Sequence, residues 1–88
     1  MADSYQQFCE NFMKRSISTR GNEIHVDAAV VQDLVNAHPH YAEKWFFEAL
    51  RSGKKDEIEL LYGLLAMVAA ILKGSHGIDG PANCFKSK

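Results

Sequence analysis

The chain has 88 residues, 47% hydrophobic and 24% charged, with a formal net charge of −1 and a pI near 6.4. That length holds one domain rather than two, and the apolar share is that of an ordinary globular chain, which excludes disorder of the whole. The balanced charge gives no general electrostatic drive toward nucleic acid or an anionic membrane, while leaving room for a local basic patch.

The opening residues, MADSYQQFCENF, lack the basic-then-apolar layout of a secretion leader. Cys9 and Cys84 stand near opposite ends with no CxxC pairing. The plainer reading is two free thiols in a reducing cytoplasm, and the alternative is a disulfide tying the tail to the first helix. Cytoplasmic localisation is the expectation that follows. Cys84 is also misplaced for a prenylation box.

Tyr5, Phe8, Cys9, Phe12 and Met13 recur at i, i+3, i+4, i+7 and i+8, which predicts an amphipathic helix running to about Ile17. Ser4 and Gln7 have the spacing of a capping box, with Asp3 as a second candidate cap. Gln6, Gln7, Glu10, Asn11, Lys14 and Arg15 fall on its wet side. Cys9 lies in the apolar stripe and reads as a small hydrophobe rather than a nucleophile.

Residues 18–23 read as a loop turning at Gly21-Asn22. Ile24-His25-Val26 alternates for only three positions and is read as an extended connector, since no second strand-like run stands out to pair with it. Asp27 is a candidate N-cap for a second helix, AAVVQDLVNA, with Val30, Val31, Leu34 and Val35 along one side. Pro39 disfavours helical geometry at His38 and cannot donate its own amide, yet suits the first turn of a helix. A sharp corner between two helices is therefore expected there.

The third helix, from about Pro39 to Ser52, places Tyr41, Ala42, Trp45, Phe46, Ala49 and Leu50 on one broad face. Phe47 projects about 100° away from Phe46, among His40, Glu43, Lys44 and Arg51. An aromatic framed by charges is typical of contact sites, so Phe47, His40, Lys44 and Arg51 are the candidate partner-binding residues. The competing reading is that another element of the same chain covers Phe47, or that a single exposed apolar residue carries no meaning.

Residues 52–55 make a tight connection into the most apolar stretch of the chain, Ile58 to Leu72, whose one charge is Glu59. Its Leu, Met and Ala content predicts a helix, started by a box of Asp56 with Glu59, supported by Lys73 and closed by Gly74. At 1.5 Å per residue it is roughly 22 Å long, short of a bilayer core of about 30 Å, so it reads as a core helix. Leu60, Leu61, Leu64, Leu65, Met67, Val68, Ile71 and Leu72 form its bulky face. Gly63, Ala66 and Ala70 form a small-residue stripe, read either as a seam for another helix or as a solvent-facing strip. Beyond Gly74 the glycine- and proline-punctuated composition predicts an irregular or flexible tail, with Phe85 as a possible anchor.

The histidines are His25, His38, His40 and His76. His38-Pro39-His40 invites a metal reading, but helical ligand pairs prefer i, i+4 spacing and no carboxylate or cysteine set joins them, so surface histidines are expected. No GxGxxG or Walker A pattern occurs, and nothing flags a nucleophile with its base. An enzyme is not expected, and no cofactor or metal is implied. The second and third helices also allow a helix-turn-helix, with His40, Lys44, Phe47 and Arg51 facing DNA. Glu43 and Glu48 in the same helix weigh against it.

The expectation is an all-α compact bundle of about four helices, residues 1–73, around a hydrophobic central C-terminal helix, followed by an irregular tail over 74–88. Three amphipathic helices leave some of the central helix uncovered, which favours a homodimer or a partner protein completing the core. The function expected is a small cytoplasmic protein-binding module that regulates or inhibits a larger partner. The alternative is a helix-turn-helix-like DNA-binding regulator. No membrane role is expected.

Overall fold

The computed structural model describes residues 4–85, and every structural statement below concerns these residues. The elements in order are α1 (Ser4–Ser16), β1 (Ile17–Arg20), β2 (Glu23–Val26), α2 (Ala28–Ala37), α3 (Pro39–Ser52), α4 (Lys55–Leu60), α5 (Tyr62–His76) and α6 (Gly80–Asn83). The fold is mostly α, a helical bundle with a small two-stranded sheet attached.

The core is a single cluster drawn from four helices. Phe8 and Phe12 come from α1, Val31 and Val35 from α2, Ala42, Trp45 and Phe46 from α3, and Leu64, Leu65, Val68, Ala69 and Leu72 from α5. These positions recur every three or four residues, as faces turned toward a common interior require. α5 sits among the others, packing against α2, α3 and α6. The expected central role of the apolar stretch is thus observed.

Several local expectations hold at atomic detail. Asp27 caps α2, its Oδ1 accepting from the Val30 amide at 3.3 Å. Pro39 occupies the first turn of α3, and the corner at His38 is where two helices meet. Lys73 lies in the last turn of α5.

Others are corrected. Residues 17–26 are an antiparallel hairpin rather than a loop and a connector. Ile17 pairs with Val26, Ser18 with His25, Thr19 with Ile24 and Arg20 with Glu23. The unrecognised partner strand, ISTR, is polar beyond Ile17 and shows no pattern of its own. It pairs because the turn residues close it on β2: Gly21 takes φ 61°, the left-handed value that the first position of a type II′ hairpin loop demands. Ile17 and Val26 lean on the core, and the Asp27 amide donates to the Ser16 carbonyl at 2.8 Å, tying the hairpin's base to both flanking helices.

The apolar rod is two helices, not one. Leu61 (φ −92°, ψ 6°) interrupts it between α4 and α5. Leu60, expected on the buried face, ends α4 and is 60% exposed, because the break removes it from the register of α5. The proposed Asp56–Glu59 capping box does not form. The N-cap is Lys54, without a side-chain bond, and Asp56 and Glu57 instead lie in the first turn, where negative charge suits the helix dipole. Ser4 is likewise already helical, so the Ser4–Gln7 box does not form, and Asp3 lies outside the described residues.

The C-terminal segment differs from an irregular tail through its described part. α5 continues past Gly74 to His76 and is closed by Gly77 in the left-handed conformation, φ 66°. The Gly77 and Ile78 amides both bond back to the Leu72 carbonyl, Ile78 at 2.9 Å, so the turn after α5 folds onto its last helical turn. Pro81 is buried, and Ile78, Ala82 and Phe85 pack on the core. Phe85 meets Phe46 edge-on at 5.8 Å, the anchoring role anticipated for it.

Candidate binding site

The four candidate contact residues lie along the outer side of α3 but in different surroundings. Arg51 and His40 are exposed. Lys44 leans over the Tyr5 ring, its Nζ 4.3 Å from the ring centroid, a cation–π contact that commits the side chain to α1. Phe47 is 37% exposed and is partly covered from within the chain. A Cβ added at Gly80 would stand 3.3 Å from Phe47 Cζ, so the α6 backbone lies against the ring. Of the two readings of Phe47, the structure supports partial cover by the C-terminal segment.

Beside Lys44, Tyr5 latches α1 onto α3. Its hydroxyl donates to Glu48 Oε1, and its ring meets Tyr41 edge-on at 5.7 Å. Burial first, then the bonds to Glu48 and Cys9, push the Tyr5 phenol well above the ordinary tyrosine range.

A cleft of about 530 Å³ opens between the first turns of α1 and the α2–α3 corner. This is within the size range of ligand sites. Its walls are aromatic. The His38 ring stacks on Tyr41 at 5.4 Å and 23° and meets Phe8 at 5.9 Å and 73°, while Phe8 and Tyr41 lie 5.8 Å apart. Leu34, Ala37 and Pro39 complete the apolar surface, and Ser4, Gln7, Asn11 and His40 supply polar groups. Among the described residues no Asp, Glu, Lys or Arg lines it. Of the candidate residues, only His40 belongs to this cleft.

Sequence reasoning placed Phe8 and Tyr41 in the core and Gln7 and Asn11 on the wet face. Each placement was sound by itself. What periodicity does not carry is that the Pro39 corner swings His38 and Tyr41 opposite the uncharged flank of α1. The one available signal was the run of neutral polar residues at Ser4, Gln7 and Asn11, spaced to share a helix face.

Elsewhere, a shallower depression of about 320 Å³ runs along α5 past Ala66, Ala69 and Ala70 to Lys73, bordered by Tyr62 and by Ala82 and Phe85 at the C-terminal end. Gly63 and Ala70 in the small-residue stripe are exposed, as a solvent-facing strip requires. Cys9 and Cys84 are both free thiols. Among the described residues no three His, Cys, Asp or Glu side chains gather as a metal site, and no helix is long and apolar enough to cross a membrane.

Fold and cleft together define a small, mostly helical domain with an aromatic-walled recess at the α2–α3 corner. Compared with known proteins, the chain matches no family model, no curated protein and no solved structure.

Proposed function

We propose that the protein is a small binding module that regulates or inhibits a larger protein through direct contact. The observation that carries this reading is the cleft at the α2–α3 corner, where stacked rings and neutral hydrogen-bonding side chains border one open recess. Apolar walls with a few placed polar groups are the usual makeup of a recognition site. No Lys or Arg is found among the described residues of its walls, which favours a protein surface over a phosphate backbone, whose recognition rests on those side chains.

A photo-crosslinking residue at His40, on the rim, tests the proposal in the native host. Crosslinks to one protein species, competed by excess unmodified protein, are the expected result. Crosslinks to DNA, or salt-sensitive duplex binding lost in an Arg51→Ala, Lys44→Ala variant, would move the assignment to a DNA-binding regulator.

A second copy of the chain is a further candidate partner, favoured by the exposure of Leu60 and Tyr62 (60% and 56%) at the α4–α5 break. Sedimentation of wild type against Leu60→Glu decides it. A dimer that the charge dissociates supports self-association, and a monomer at all concentrations ends it.

A further inference from the structure

The cleft has a direction as well as a composition. Gln7 and Asn11 are four residues apart on α1, so their side chains emerge about 6 Å apart along the helix axis. Each carboxamide offers both a donor and an acceptor. Among the described residues neither makes a side-chain hydrogen bond, and both line the cleft. Ser4, three residues before Gln7, extends the row toward the start of the helix. The facing wall is the stack of His38 on Tyr41, with Phe8 buried beneath it.

A row of two-way hydrogen-bonding groups repeating at this interval matches the main chain of an extended peptide. In an extended segment the N–H and C=O groups pointing to one side recur every second residue, about 6.7 Å apart. A single planar heterocycle needs its polar partners gathered at one point, whereas Ser4, Gln7 and Asn11 are spread along the helix axis. Among the described residues the walls carry no Asp, Glu, Lys or Arg, so a charged side chain of the segment would find no ion-pair partner there.

From this spacing and lining we infer that the cleft takes an extended, uncharged peptide segment of the partner protein. Gln7 and Asn11 bind its main chain on one side, and one apolar side chain of the segment rests against the His38–Tyr41 rings. This rests on the protein-binding reading above and adds the form of the ligand.

The probe is a phage-displayed library of random dodecapeptides selected on the intact protein. The best binder is then made synthetically and titrated by fluorescence anisotropy. Selected sequences should share a short uncharged core holding an aromatic or aliphatic residue. Gln7→Ala combined with Asn11→Ala should weaken the peptide at least tenfold. Both positions are exposed on a helix, where alanine is well tolerated, and unchanged circular dichroism and melting establish that the fold is kept. N-methylation of single main-chain amides in the core should weaken binding at alternate positions, the pattern an extended backbone produces. His38→Ala should weaken it as well.

Binding that survives the double variant overturns the inference, as do selected cores rich in charge or a library that yields no binder. Peptides lost with Leu60→Ala but not with the double variant place protein binding on the α4–α5 face. That result retains the proposed function and removes this site. Binding of a nucleoside in competition with the peptide also overturns it.

Discussion

Where α1 meets α3 the interface is made of rings. Phe12 lies edge-on to Trp45 at 4.8 Å, Phe8 lies 5.8 Å from Tyr41, and Tyr5 meets Tyr41 at 5.7 Å. Where α2 meets α5 the buried residues are Val31 and Val35 against a helix that buries Leu64, Leu65, Val68, Ala69 and Leu72. Branched aliphatic chains interdigitate closely and fill the space between two helices. Planar rings meet at set angles and leave wedges beside them. The 530 Å³ cleft opens on the aromatic side, at the end where α1 diverges from the α2–α3 corner. One side of the core is thus built mainly for density, and the other holds the molecule together while leaving a recess.

The largest expected effect tests that contrast directly. Phe12 is fully buried, and Phe12→Ala should lower stability by about 3–5 kcal/mol in chemical denaturation, whereas Val68→Ala should cost about 2 kcal/mol. Equal losses at both positions would mean that the two sides are not energetically distinct. On the aliphatic side, Gly77→Ala forces a side chain into the left-handed region and should cost about 1–2 kcal/mol. An unchanged melting temperature would show that the closure of α5 contributes nothing.

A smaller effect has the opposite sign. Ser16 is fully buried at the end of α1, and its hydroxyl finds no hydrogen-bond partner among the described residues. Ser16→Ala removes that uncompensated group and should leave stability unchanged or raise it by about 1 kcal/mol. A marked loss in thermal melting would reveal a partner for the hydroxyl.

The smallest effect emerges only in alkali. The Tyr5 phenol is raised in the folded state, so its protonated form is the one folding favours. Its contribution is complete below the unfolded tyrosine value of about 10 and fades as pH rises toward the folded one. Stability of the wild type should therefore fall more steeply above about pH 10 than that of Tyr5→Phe, measured by urea denaturation across pH 9–11. Parallel slopes would show that the latch between α1 and α3 does not discriminate protonation states.

Much of the helical part of the fold was legible because burial imposes periodicity. Phe8 and Phe12, Val31 and Val35, and Leu64, Leu65, Val68 and Leu72 announce their faces, while Asp27 and Pro39 mark boundaries by local chemistry. The hairpin was not legible, since ISTR pairs through backbone groups that every residue has and buries little besides Ile17. Nor was the break at Leu61, where the surrounding leucines favour helix and only Tyr62 and Gly63 weaken it locally. The C-terminal segment was misjudged because its glycines and proline build a turn, Gly77 and Pro81, rather than freedom. The cleft was hidden for a related reason. It belongs to the space between two elements, and Phe47, chosen for its own helical position, is half covered by α6 instead.

The hairpin has a practical corollary. Its two-residue loop, Gly21-Asn22, is exposed, and none of the residues lining the cleft comes from the hairpin. A fluorophore-bearing or epitope sequence spliced between those two residues would therefore report on the molecule from outside the recess, which would stay open to whatever enters it.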